Sequence, residues 1–267
     1  MAVKFVSGKR SFRFLSKQIV RPTAYYRMKL LYVFPHPDDE SFGPAAAMHA
    51  QLRAGHEVYL LTLTRGGATK QRHKLGLSVE EMGQVRHDEM RAVEKTLGLT
   101  GMTVLNLPDS GLKHMDPRDI ERVVTEHVQA VRPDVLVSYP VHGISGFHDH
   151  LVMHAVIKNV YLNMKDRGVD YLHRLAFFTV RYQGDGTFKK GKDFILKQSL
   201  EEEIDCSVPI TEEDTEAMKR ALACYKTYQE VIKDVGVADM FKEAVHFEIY
   251  GESFDPPLTD LTGRFSD

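Results

Sequence analysis

Residues 29–43 read KLLYVFPHPDDESFG, an apolar run that stops at a cluster of ionisable side chains set around two prolines. Residues 29–34 are continuously apolar after the lysine, with the β-branched and aromatic content of a strand buried on both faces. Residues 42–54, FGPAAAMHAQLRA, read as a helix that Gly55 ends. His36, Asp38, Asp39 and Glu40 therefore fall in a strand-to-helix turn.

The same alternation continues outward from that turn. Residues 57–63 form a second strand, followed by the loop TRGGATKQRHKLG and a helix over 79–97 that Gly98 stops. A third strand at 103–107 runs into PDSGLKH, and Asp116-Pro117 opens a helix with an N-cap residue followed by proline at the first helical position. A fourth strand at 135–139 ends in the loop PVHGISGFHDH, before a helix over 151–165. After residue 170 the pattern changes to strands at 174–181, 193–198 and 204–208. A long helix over 211–233 follows, with Thr211 and Asp214 as a capping pair, and then a last strand at 245–250.

Short apolar runs alternating with longer amphipathic segments predict βαβ units. The fold expected is α/β, a Rossmann-like and mostly parallel sheet with helices on both faces and a small added β region after residue 170. One domain is expected over residues 29–250, between a basic arm at 1–28 and a C-terminal tail at 251–267. All four polar loops, HPDDE, TRGG, PDSG and HGISGFHDH, follow strands. In a parallel sheet such loops share the carboxyl edge, where ligands of open α/β sheets bind.

Composition narrows the function. The chain has 267 residues, 43% of them hydrophobic, and a net charge of −2, so nothing in its balance favours a polyanion and nucleic acid is not an expected partner. No stretch approaches the roughly 18 apolar residues that span a bilayer. Cys206 and Cys224 make neither a CxxC motif nor a disulfide framework, which fits a reducing compartment, and a cytoplasmic location is expected. Residues 1–29 hold eight Lys or Arg and no acidic residue. Phe12, Leu15 and Ile19 stand at helical spacing there, so a membrane-surface or transit-like role is one reading, and a basic arm lying on the acidic body or on a neighbouring subunit is the other.

Two polar loops carry the chemistry. Imidazole and carboxylate suit a borderline cation such as zinc, and catalytic zinc sites use three protein ligands with the fourth position left to water. His36 and Asp39 lie three apart across a turn stiffened by Pro37, and His148-Asp149-His150 forms a second cluster after the fourth strand. Taking His36, Asp39 and His150 as one ligand set leaves Asp38 placed to accept a proton from the bound water. The plain alternative is that Asp38, Asp39 or Glu40 only caps the helix that follows. Capping accounts for neither His36 nor the second cluster.

PHPDDE after a strand, with HDH at the start of a helix some 110 residues later, resembles the PIG-L/LmbE-type zinc-dependent N-deacetylases. The resemblance runs from about residue 28 to 233. It implies zinc, with iron(II) as an alternative, on His36, Asp39 and His150, and Asp38 as general base. It also implies substrate-side or supporting roles for Arg65, for Arg86 with Glu89, and for Asp109. The expected activity is removal of an N-acetyl group from a small amino-sugar conjugate, in an enzyme that forms a homo-oligomer in some relatives. Family members commonly read HPDH in the second motif, whereas this chain reads Phe147-His148-Asp149-His150. Phe147 thus stands at the histidine position, leaving His148 as the expected acid or oxyanion group and His142 as the alternative. Arg86 and Glu89 also fit a surface pair, His154 a packing histidine, and Tyr225 and Tyr228 core or interface positions.

Two rival classes remain open. Magnesium-dependent phosphoryl hydrolysis would use the carboxylates, although histidine ligands suit that hard cation poorly. A non-catalytic nucleotide- or sugar-binding module would be expected to carry a glycine-rich fingerprint after the first strand, and GxGxxG is absent there.

Overall fold

The computed structural model describes residues 27–184, 189–190 and 194–265. The expected basic arm falls outside the described residues except for its last two. The order of elements is β1 (Lys29–Phe34), α1 (Ala45–Arg53), β2 (Glu57–Thr64), α2 (Gln71–Leu75), α3 (Val79–Leu97), β3 (Gly101–Leu107), α4 (Pro117–Val131), β4 (Val135–Ser138) and α5 (His148–Asp166). Then come β5 (Arg174–Thr179), β6 (Lys189–Lys190), β7 (Phe194–Ile195), β8 (Cys206–Pro209), α6 (Glu212–Cys224), α7 (Gln229–Val235) and β9 (Ala244–Ile249).

Seven strands form one sheet in the order β3-β2-β1-β4-β5-β9-β8, and β6 pairs with β7 apart from it. The pairings from β3 through β5 are parallel, and β9 runs antiparallel to both β5 and β8. The sheet is therefore mostly parallel, as the alternation predicts. Its core is split by the pleat of β1: Leu30, Tyr32 and Phe34 pack on the side of α1, α3 and α6, while Leu31 and Val33 pack on the side of α4 and α5. Burial on both faces is why β1 reads as an unbroken apolar run.

Helix ends follow the expected chemistry. Ser78 and Glu81 form a capping box on α3, Gly98 closes that helix in the left-handed region, Asp116 caps α4 ahead of Pro117, and Thr211 with Asp214 caps α6. Strand order reverses beside β1, whose neighbours are β2 on one side and β4 on the other. Loops leaving β1 and β4 thus flank a switch point, the crevice where open α/β sheets bind ligands.

Beyond α2, which lies within the expected loop after β2, and β7, which is shorter than the expected strand at 193–198, three differences bear on the site. The first helix begins at Ala45, with Phe42 still in the preceding turn. The fourth-strand loop gives way to α5 at His148, so the HDH cluster forms the first helical turn. The expected helix over 211–233 is broken at Tyr225, whose ψ of 69° leaves the helical region, and a short 3-10 turn over Lys226–Tyr228 leads into α7. The cause is tertiary. Thr227 donates twice to buried Glu89, from its amide at 2.7 Å and from its hydroxyl at 2.9 Å, and both tyrosine rings meet Arg86.

Residues beyond 250 lie on the sheet. Fully buried Arg174 binds Glu252 through Nε and Nη2, each at 2.7 Å, and donates to the carbonyls of Leu261 and Gly263.

Candidate active site

The turn after β1 holds three consecutive acidic residues, and none of them caps α1. Pro44 is the N-cap and no side chain bonds the free amides there. Each carboxylate has other partners. Asp39 accepts from the His36 amide at 2.8 Å and from the Tyr139 hydroxyl at 2.8 Å. Fully buried Glu40 accepts from Ser41 Oγ and from the Tyr225 hydroxyl, both at 2.6 Å. That tyrosine oxygen in turn accepts the Asp38 amide at 2.9 Å.

Asp38 has φ 85°, a backbone conformation that costs a non-glycine residue about 1–3 kcal/mol and clusters at functional sites. Its carboxylate accepts from Arg86 Nη2 at 2.7 Å, and the same nitrogen donates to the Pro37 carbonyl at 2.8 Å. Arg86 is buried, and its guanidinium lies 3.9 Å from the Tyr228 ring centroid and 5.0 Å from that of Tyr225. Burial pushes the Asp38 carboxyl up to about 7 against the opposing pull of Arg86.

The other half of the site comes from the loop after β4 and the first turn of α5. His150 stacks on Tyr139 with ring centroids 4.2 Å apart, and its Nδ1 sits 2.9 Å from the Gly143 carbonyl and 3.0 Å from Ser145 Oγ. A carbonyl only accepts, so Nδ1 carries a proton there, and Nε2 is the nitrogen turned to the cluster, 3.3 Å from His36 Nδ1 and 3.3 Å from Asp39 Oδ1. Gly143 makes the approach of the loop feasible: its φ is 60°, and a Cβ there would stand 2.8 Å from the Cβ of His150.

His36 Nε2 points to two further carboxylates, Asp149 Oδ2 at 3.2 Å and Asp109 Oδ1 at 3.4 Å. Burial disfavours a charged His36, yet Asp149, Asp39 and Asp109 overcome it and lift the imidazole to about 10. Burial likewise pushes Asp39 up, and the rings of His150 and His36 reverse that and hold it well below the usual carboxylate range. Such an excess of carboxylate around one imidazole is the electrostatic signature of a cation site. Among the described residues, two sets bring their ligand atoms within 4.8 Å of one another: His36, Asp39 and His150, and His36, Asp109 and Asp149. Asp149 Oδ1 is buried without a hydrogen-bond partner. The donor set of imidazole and carboxylate suits zinc, and the bonded Nδ1 of His150 is the outer hydrogen bond that orients a ligating histidine.

A cavity of about 600 Å³ opens over this cluster and is lined by His36, Asp38, Asp39, Arg86, Asp109 and His150. The structure thus brings together six of the residues singled out in the sequence. Two others do not line the cavity. Arg65 is half-buried and donates to Gln84 at 3.4 Å. His148 is exposed on the first turn of α5. His142 is engaged elsewhere, accepting from the Ile144 amide at 3.1 Å and lying 3.4 Å from Ser199 Oγ. Arg86 and Glu89 are buried, not a surface pair, and His154 packs on Phe177 with its Nδ1 3.0 Å from the Tyr139 carbonyl. Sequence reasoning singles out neither Tyr139 nor Asp149 for a role, and Glu40 only as a possible helix cap. For Asp149 the signal was its place between two histidines, whereas nothing local marks Tyr139, the last residue of a buried run.

Residues 31–161 match the family model for PIG-L, the GlcNAc-PI de-N-acetylases. The 1D-myo-inositol 2-acetamido-2-deoxy-alpha-D-glucopyranoside deacetylase of Kineococcus radiotolerans is 29% identical over 153 residues, which cover 47% of this chain and 42% of the relative. The chain spans about half the length of the curated relatives it matches. Among solved structures, the N,N'-diacetylchitobiose deacetylase of Pyrococcus horikoshii superposes with a TM-score of 0.55 at 17% identity, over 83% of either chain. GalB, the 4-carboxy-2-hydroxymuconate hydratase of Pseudomonas putida, gives 0.62 at 13% identity, covering 85% of this chain and 98% of GalB. One fold therefore serves a hydratase as well as deacetylases, and the argument for function belongs to the site. Residues 31–161, the α/β core of this chain, thus carry the match to the PIG-L family.

Proposed function

We propose that the chain is a metal-dependent hydrolase that removes an N-acetyl group from a small amino-sugar conjugate of the N-acetylglucosamine type. The observation that carries this reading is the meeting of His36, Asp39 and His150 within 4.8 Å, with Asp38 in the same turn. The acetamido sugar in the name of the Kineococcus relative supports the substrate class.

His36, Asp39 and His150 would hold zinc, or iron(II) on the same ligands. When bound, the metal polarises the amide carbonyl and brings the pKa of water down to roughly 7. Asp38 takes a proton from the attacking water. Its raised affinity for that proton suits it to the second step, in which the proton passes to the amine as the C–N bond breaks. Water oxygen joins the carbonyl carbon, and the products are acetate and a free amine.

The remaining side chains hold these groups in place. Arg86 spends one nitrogen on Asp38 and Pro37, so it positions the base and does not reach substrate through that nitrogen. Tyr139 fixes one oxygen of Asp39, and Asp149 holds Nε2 of His36 so that Nδ1 turns to the ligand cluster. Asp109, with Lys70 and Gln71 on the cavity wall, offers hydrogen bonds for sugar hydroxyls. Both proton transfers are assigned to Asp38, because His148 is exposed and His142 is engaged with Ile144 and Ser199. The compartment in this reading is the cytoplasm, in keeping with two free cysteines.

The test is amine release from methyl N-acetylglucosaminide by zinc-reconstituted protein. Wild type releases amine, and Asp38→Asn keeps its metal while turnover falls by about 10²-fold or more. Zinc-loaded wild type that releases no amine from any N-acetylglucosamine conjugate overturns the reading.

A further inference from the structure

The cavity has two chemically different sides. Its polar side carries the ionisable cluster together with Thr69, Lys70 and Gln71. An apolar wall is made by Phe178 and Val180 at and just past the end of β5, by Val231 and Val235 on α7, and by Val237 and Met240 just beyond it. None of these six side chains carries a hydrogen-bond donor. A sugar hydroxyl pressed against them would lose its water and gain no partner.

This wall is preformed. A Cβ built at Gly43 would overlap the Phe178 ring, so that ring sits directly on the backbone that follows the acidic turn. Behind it, Phe178 packs on Phe241 and Phe247, with centroids 5.8 and 6.3 Å apart. Val231 and Val235 lie four residues apart on one face of α7, while Ile232 is the α7 side chain buried in the main core. Both valines line the cavity, and Val235 also packs against the core.

Resting on the deacetylase reading, we propose that the substrate carries an apolar substituent several carbons long close to its amide, and that the wall of Phe178, Val231, Val235 and Met240 receives it. The substituent is either an apolar aglycone on the sugar or an acyl chain longer than acetyl, which then takes the place of the acetyl group in the proposed hydrolysis. Both present the same chemistry to the wall.

Products bind without turnover, so calorimetric titration of zinc-reconstituted wild type separates the two sources. Hexanoate against acetate tests the acyl arm, and hexyl glucosaminide against methyl glucosaminide tests the aglycone arm. Each methylene buried on the wall gives about fourfold in affinity, so the correct arm gains at least tenfold. Val231→Thr with Val235→Thr, which keeps shape and adds hydroxyls, lowers that gain by threefold or more. Pairs that bind within twofold of each other in both arms overturn the proposal, as does no measurable binding of either hexyl probe or hexanoate. Methyl N-acetylglucosaminide turnover is read beside it: hydrolysis without an apolar gain removes this inference alone, and an apolar gain without hydrolysis of any N-acyl sugar removes the deacetylase reading alone.

Discussion

Tyr225→Phe isolates one oxygen atom that ties the late helical region to the acidic turn. The ring is fully buried and stays in place beneath Arg86, so the substitution leaves packing unchanged. Two hydrogen bonds are lost, the donation to Glu40 at 2.6 Å and the acceptance of the Asp38 amide at 2.9 Å. Glu40 keeps Ser41 Oγ as a partner, but its other oxygen already lacks one, and burial pushes its carboxyl up. A lost hydrogen bond of about 1 kcal/mol and an orphaned buried amide at about 1–3 kcal/mol give an expected destabilisation of about 3 kcal/mol. Urea unfolding with a chelator present measures this free of metal linkage. Glu40→Gln and the double variant complete a cycle whose coupling should reach about 0.5 kcal/mol or more. The Asp38 backbone, strained at φ 85°, loses the contact that holds it, so kcat falls about tenfold with KM little changed. A destabilisation below about 0.5 kcal/mol, the range of inconsequential surface changes, would refute the bridge.

Other substitutions probe separate parts of the account. Arg174→Met removes a fully buried cation and leaves Glu252 unpaired, so it should cost about 3–5 kcal/mol in urea unfolding and expose the chain beyond residue 250 to limited proteolysis. Asp214→Asn tests linkage. Burial alone would raise the Asp214 carboxyl, but Arg53, the Thr211 amide and His49 hold it down to about 2. Its contribution is present above the unfolded value of roughly 3.9 and lost as pH falls through about 2, so wild type should lose stability between those values more steeply than the variant. Asp149→Asn removes the charge behind His36 Nε2, and zinc affinity measured by chelator competition should drop about 10- to 100-fold without unfolding the protein.

The parts of this molecule that were legible in the sequence are those fixed by local pattern. The unbroken apolar run of β1 announced a strand covered on both faces, and Thr211 with Asp214 announced a helix start. The pairing of His36 with His150 was legible because strand-end loops of a parallel sheet share one edge. What escaped was set by tertiary contact. Residues 224–229, CYKTYQ, contain no glycine or proline to end a helix, yet the helix breaks there because Arg86 and Glu89 take hold of Tyr225, Thr227 and Tyr228. Arg86 and Glu89 themselves looked like an exposed pair, since spacing along a helix says nothing of what covers that face. His148 was favoured by its neighbourhood in sequence, but starting α5 at His148 leaves it exposed while Asp149 and His150 turn inward.

The most direct test of the central claim is anomalous X-ray scattering at the zinc edge from crystals of the reconstituted protein. The account predicts a single peak bonded by His36 Nδ1, Asp39 and His150 Nε2, at the roughly 2.0–2.2 Å of zinc–nitrogen and zinc–oxygen bonds. A peak held instead by His36, Asp109 and Asp149, or no peak within reach of His150, would contradict it.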